Sequence, residues 1–422
     1  MMNRLFLSFI IALTALTAFA QVDSTHISLI LPGSKEALKP FHDKLYDLRT
    51  HASESNNINI LHIGGSHVQA GVLSTTIRMH FSPSADRGFL FPFRAIKTNS
   101  PQGYRYEYTG MWKGSRNVNK EPDAELGLAG AAAITSDKEA SLTLRLFDDG
   151  KWDFSQLILQ GCASDTTVVP YLITSAADTL FADPVLSHLG VRDSWTFHLP
   201  QPDSVVTLKF IGLTRKLSPK QNRKTYLPLE DRHYFTVHGM VPRSDRHGVS
   251  YIESGINGAS VPSWLRTGPR FEEELSLLPP DLVVFGIGIN DANVPLVEFD
   301  TEVFKNQYKQ LIERIRSVNP EVCLLFITNN DCAFTVGKGR RAKKIANPNT
   351  ERVRQAMIEL ATELNGAVFD VYGLMGGIKS SEKWVEAGLM KKDRIHFTNE
   401  GYVLVGDLLY NAIDKNYQIF YK

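Results

Sequence analysis

Short, nearly uninterrupted apolar runs alternating with helix-period segments constrain this chain more than any other feature. Asp281–Gly286, Val322–Thr328 and Ala367–Val371 are apolar almost throughout, as strands buried on both faces of a parallel sheet must be. Between them, Glu302–Val318 carries Phe304, Tyr308, Leu311, Ile312 and Ile315 at helical spacing. Thr350–Leu364 repeats the pattern with Val353, Met357, Leu360, Ala361 and Leu364, so each predicts an amphipathic helix. Thr398-Asn399-Glu400 opens a last helix that the pattern carries to about Asp414. Near the other end, Asn59–Ile63 reads as a strand and Val68–Phe81 as a helix with Leu73, Ile77 and Phe81 on one side. The alternation predicts one α/β layer with a parallel sheet.

The middle of the chain has a different period. Thr143–Phe147, Gln156–Leu159, Val168–Thr174, Asp193–Leu199 and Val205–Gly212 are alternating or β-branched runs separated by Gly, Pro, Asp and Ser. Helical periodicity is missing there, and an antiparallel β-sandwich follows. The expected organisation is a signal peptide at 1–20, an α/β domain begun by 21–94 and completed by 249–422, and an inserted β-domain at 95–248.

The first residues read as an export signal. Arg4 supplies a positive start, Leu5–Leu16 is mostly apolar, and Ala18-Phe19-Ala20 fits the small-x-small cleavage pattern before Gln21. The expected location is therefore periplasmic or secreted, with no integral membrane segment after cleavage. Cleavage would take one cation from 46 basic and 45 acidic residues, leaving a balanced charge that gives no reason to expect nucleic acid as a partner. Three cysteines do not make a disulfide framework. Cys323 lies in an apolar run nine residues before Cys332, and the spacing leaves open whether the two pair.

Four short segments carry the chemistry. Ile63-Gly64-Gly65-Ser66-His67 is a strand end, two glycines and a serine at a helix start. Glycine permits a sharp turn, and the helix N-terminus favours developing negative charge at the serine oxygen. A serine at that position also caps a helix well. Gly255-Ile256-Asn257-Gly258 and Gly288-Ile289-Asn290-Asp291 offer a glycine-turn amide at Gly258 and a side-chain amide at Asn290. Acyl transfer needs such donors for its oxyanion. Asn290 also follows a buried strand at its carboxyl end, where open α/β sheets bind ligands. In Asp393-Arg394-Ile395-His396 one loop can present a base and the carboxylate that orients it.

In this order, the four segments resemble the signature blocks of the SGNH (GDSL-type) hydrolases, over about 50–90 and 249–416. The resemblance implies a flavodoxin-like sheet flanked by helices and a carboxylic ester hydrolase. It implies Ser66 as nucleophile, His396 as base, Asp393 as its orienter, and Ser66, Gly258 and Asn290 as oxyanion donors. One residue departs from the pattern: Gly65 stands where the family usually has Asp. A β-domain between the first two blocks, and Ser66-His67 itself, are similar to exported peptidoglycan O-acetylesterases. The implied substrate is an O-acetylated glycan, most of all peptidoglycan. A lipase-like esterase, an O-acetyltransferase and a catalytically silent glycan-binding protein remain open on the same residues.

Arg340 and Arg341, in the basic run Lys338–Lys344, and Trp264 are candidate substrate contacts. They suit carboxylates and sugar rings respectively, although a solvated loop for the arginines and core packing for the tryptophan are the default explanations. His233, His238 and His247 have no metal spacing, and no cofactor is implied.

Overall fold

The computed structural model describes residues 22–51, 57–146, 152–186, 192–214, 233–337 and 339–422. The expected export signal lies outside them. Among the described residues no helix is long and apolar enough to cross a membrane.

Five parallel strands form the central sheet: β1 (Ile58–Gly64), β2 (Val249–Gly255), β3 (Leu282–Gly286), β4 (Cys323–Ile327) and β5 (Ala367–Phe369). Their order is β2-β1-β3-β4-β5, which is the flavodoxin-like arrangement with its switch point between β1 and β3. Alternate side chains serve two apolar cores. Leu61, Ile63, Val283, Phe285, Leu324 and Phe326 face one; Ile58, Ile60, Leu282, Val284, Leu325 and Ile327 face the other. Burial on both faces is why these strands read as continuous apolar runs.

Helices cover both faces. On the first pack α5 (Thr301–Arg316) and α6 (Asn349–Leu364), through Phe304, Tyr308, Met357 and Leu360. On the second pack α1 (Lys39–Thr50), α3 (Val72–His80) and α7 (Asn399–Phe420), through Phe41, Ile77, Leu408 and Tyr417. Helix α7 runs past the expected end near Asp414. Its extra length buries Tyr417 and places Asn416 Oδ1 2.8 Å from His42 Nε2 on α1.

The expected helix Val68–Phe81 is broken into α2 (Ser66–Gln69) and α3. Gly71 separates them at φ 73°, and a Cβ there would stand 2.5 Å from the backbone nitrogen of Gln102. Only glycine combines a left-handed φ with so close a backbone approach. A further short helix, α4 (Val261–Trp264), follows β2.

The β-insert comprises two antiparallel sheets. One orders Lys113–Arg116, Ala131–Thr135, Phe235–Arg243, Phe154–Ala163, Arg192–Asp203 and Pro184–Leu186. The other orders Tyr104–Thr109, Ser141–Leu146, Val205–Ile211, Val169–Thr174 and Thr179–Leu180. Phe210 of the second sheet lies 4.8 Å from Phe235 of the first, centroid to centroid, so the sheets pack face to face. Their shared interior is continuous with the first face of the parallel sheet. All three cysteines are free thiols, with Cys323 and Cys332 buried.

Candidate active site

Three strands end on a row of glycines. Gly64 pairs with Gly255 on one side and with Gly286 on the other. Helix α2 sits on this row: a Cβ on any of the three would run into Val68. The glycines therefore let the short helix settle directly onto the carboxyl edge of the sheet, with Ser66 as its first residue. Trp264 braces the same edge, its indole N–H donating to the Gly64 carbonyl at 3.2 Å. It is fully buried and makes no substrate contact, contrary to the expectation from sequence. Its planar bulk and single donor serve the floor beneath the site.

Ser66 Oγ lies 2.8 Å from His396 Nε2, and His396 Nδ1 lies 2.9 Å from Asp393 Oδ2. The second carboxylate oxygen of Asp393 accepts the backbone N–H of Ile395 at 2.9 Å and of His396 at 3.0 Å. Burial pushes the Asp393 carboxyl up, but these amides and the His396 ring outweigh it and hold it below the ordinary carboxylate range. The imidazole thus spans an alcohol and a charged carboxylate, which is the geometry for moving the serine proton. Side-chain exposure is 32% for His396 and 41% for Asp393, so the line opens directly to solvent.

The loop that presents them is strained at Arg394, a non-glycine residue at φ 57°. Arg394 is buried; its guanidinium donates to Ser381 Oγ at 3.0 Å and to Glu382 Oε1 at 2.8 Å. From behind, Asn330 Nδ2 donates to the Ile395 carbonyl at 3.0 Å. Neither residue stands out in the sequence: the partners of Arg394 lie 13 and 12 residues before it, and that of Asn330 lies 65 residues ahead.

Gly258 and Asn290 come together beside Ser66. Ile256–Ala259 is a turn closed by an Ala259 N–H to Ile256 carbonyl bond of 2.9 Å, with Gly258 at φ 83°. A positive φ at the third position makes it a type II turn, and glycine is the residue that position takes. Asn290 Nδ2 donates to the Ala259 carbonyl at 2.8 Å, leaving its other N–H available. Both elements close over Gly65: a Cβ on Gly65 would lie 3.2 Å from Asn290 Nδ2 and 3.3 Å from the Ala259 carbonyl. The glycine that departs from the family pattern sits where space is short.

Asp291 and Gln69 support this corner, and neither role is legible in the sequence. The Asp291 carboxylate accepts the Val261 N–H at the start of α4, at 3.0 and 3.3 Å. Burial raises it to about 7, against that bond. Gln69 Oε1 accepts the Asn257 N–H at 2.6 Å.

A β-hairpin, Ala333–Val336 with Lys343–Ala346, emerges where a plain basic loop had been expected. Lys344 Nζ donates to the Asp393 carbonyl at 2.9 Å. Arg341 is exposed on the hairpin's turn, and the Arg340 side chain lies outside the described residues. Lys391 and Lys392, immediately before Asp393, are also exposed.

Residues 236–404 match the GDSL-like Lipase/Acylhydrolase family. No curated protein matches the sequence. Among solved structures, a peptidoglycan O-acetylesterase matches with a TM-score of 0.72 at 18% identity, over 93% of this chain and 99% of that one. An acetyl xylan esterase, TM-score 0.31 and 19% identity, matches over 39% of this chain and 81% of its own. A GDSL-like lipase from Bacteroides thetaiotaomicron, TM-score 0.29 and 19% identity, matches over 40% of this chain and 76% of that one. The matched segment holds four of the five parallel strands, β2 to β5, so the acylhydrolase likeness falls on the α/β layer. Over its length the chain has the SGNH (GDSL-type) hydrolase fold with an inserted β-domain, and the family match within 236–404 and this fold together support a carboxylic ester hydrolase.

Proposed function

We propose that the chain removes O-acetyl groups from an exported carbohydrate polymer, peptidoglycan before others, with Ser66, His396 and Asp393 as its catalytic line. The observation that carries this reading is the unbroken path from Ser66 Oγ through the His396 ring to Asp393, at 2.8 and 2.9 Å. His396 Nε2 takes the Ser66 proton as Oγ attacks the acetyl carbonyl carbon. The oxyanion is met by the N–H groups of Ser66 and Gly258 and by the free N–H of Asn290. Collapse breaks the bond to the sugar oxygen, which leaves with the proton held by His396. A water then gives its proton to His396 and attacks acetyl-Ser66; acetate departs and the serine regains its proton.

The substrate class draws support from three observations. The likeness to a peptidoglycan O-acetylesterase runs through the β-insert as well as the hydrolase domain. The exposed catalytic line suits an ester displayed on a polymer. Lys344, Lys391 and Lys392 set positive charge around Asp393, which suits a glycan bearing carboxylates. The apolar leader at 1–20 supports action outside the cytoplasm.

Acetate release from O-acetylated peptidoglycan and from acetylated xylan, measured side by side, tests the reading. Faster turnover of peptidoglycan supports it. Preference for xylan removes peptidoglycan as the substrate, and binding without acetate release from either polymer removes the hydrolytic role.

A further inference from the structure

Gln69 closes α2, three residues after Ser66, and the residue is 2% exposed. Every polar atom of that side chain is engaged. Oε1 accepts the Asn257 N–H at 2.6 Å, while Nε2 donates to Thr98 Oγ1 at 3.0 Å and to the Asn99 carbonyl at 2.8 Å. Asn257 reaches the same segment, its Nδ2 donating to Asn99 Oδ1 at 2.5 Å.

Asn257 and Gly258 are the central residues of the type II turn. Its own closing bond and the glycine φ fix the turn internally. Its two ends are held by the Ile256 N–H to Gly64 carbonyl bond of 3.3 Å and by Asn290 on the Ala259 carbonyl at 2.8 Å, which leaves the corner at Asn257 to be fixed relative to Ser66. The Asn257 N–H points out of the turn and finds its acceptor on Gln69. A buried acceptor on the serine's own helix thus ties the turn to the nucleophile. The Thr98–Asn99 segment, which leads into the β-insert, holds both ends of the tie.

We propose that Gln69 is a positioning residue that sets the distance between Ser66 and the Gly258 N–H, with Thr98–Asn99 as its outer anchor. The inference rests on Gly258 acting as an oxyanion donor. Its physical basis is that oxyanion donors must be held in place before charge develops, and that displacement by about 1 Å costs up to roughly 100-fold in rate. The arrangement also gives the β-insert a direct mechanical link to the active site, independent of any binding by the insert itself.

The test compares Gln69→Leu, Asn99→Ala and Ser66→Ala on p-nitrophenyl acetate, with active sites titrated and melting followed. Gln69→Leu is expected to lower kcat per active site by about 10- to 100-fold with KM little changed. Its affinity for a trifluoromethyl ketone, whose adduct on Ser66 bears an oxyanion, should fall in parallel. Asn99→Ala, at an exposed position, should lower kcat several-fold and guards against a Gln69→Leu chain that does not fold. Wild-type kcat and ketone affinity in the folded variants, with Ser66→Ala inactive, would overturn the role of Gln69 alone. Activity retained by Ser66→Ala would overturn the reading of the site beneath it.

Discussion

The ring of His67 lies against the ring of His396, with centroids 5.4 Å apart, and its Nδ1 is 3.0 Å from the Tyr402 hydroxyl. Burial, helped by the neighbouring His396, lowers His67 to about 3. His67 therefore stays neutral across the working range. The Asp393 carboxylate, held below its ordinary range, stays charged as well. The acid limb of log kcat/KM should rise with unit slope, with no contribution from His67. His67→Phe should keep that slope. A slope of two, reduced to one in His67→Phe, contradicts this assignment.

Arg394 holds the Asp393–His396 loop from within, at a φ that glycine tolerates and alanine does not. Arg394→Ala loses the bonds to Ser381 and Glu382 and keeps the strain; Arg394→Gly loses the same bonds and relieves it. Denaturant unfolding should find the glycine variant more stable than the alanine variant by about 1 kcal/mol. Equal stability, or the reverse order, would mean that the backbone there is not held in the left-handed region.

Much of this architecture is legible in the sequence, for reasons particular residues make plain. Leu282–Phe285 and Leu324–Ile327 announce themselves because both faces are buried. The strand Val249–Gly255 does not, because Ser250, Glu253 and Ser254 interrupt its apolar pattern. Those polar groups are satisfied only in the folded chain. Glu253 lies 3.3 Å from Arg78 and takes a bond from Ser74, and Ser254 donates to the Leu128 carbonyl. The segments holding Ser66, Gly258, Asn290, Asp393 and His396 are short local motifs and can be read one at a time. Gln69 cannot, since its partner is 188 residues away. Trp264 misleads because an aromatic side chain near a site looks the same in sequence whether it meets sugar or supports a strand.

Asp291 makes stability depend on pH in a definite direction. Its folded-state value, about 7, lies above the ordinary 3.8, so folding favours the protonated form. The penalty is absent below the unfolded value, grows as pH rises from about 4, and is complete above about 7. Asp291→Asn removes that ionisation. The melting temperature of the variant relative to wild type should therefore be more favourable at pH 8 than at pH 5. A constant difference, or one that worsens at pH 8, contradicts the assignment.

The cations around Asp393 predict a salt effect that depends on substrate. Turnover of O-acetylated peptidoglycan at low concentration should fall as ionic strength rises, because exposed charges are screened beyond about 10 Å at 0.1 M salt. Turnover of neutral p-nitrophenyl acetate should change little. Lys391→Glu/Lys392→Glu should lower kcat/KM on the polymer more than on the aryl ester. Equal salt sensitivity on both substrates would remove the rim from substrate recognition.

The account depends most on Ser66 giving its proton to His396 and taking the acetyl group. Initial rates of acetate release from O-acetylated peptidoglycan by wild type and by folded Ser66→Ala test that claim most directly. The expected result is release by the wild type and a fall of at least about 1,000-fold in the variant. Ser66→Ala releasing acetate at the wild-type rate would contradict it.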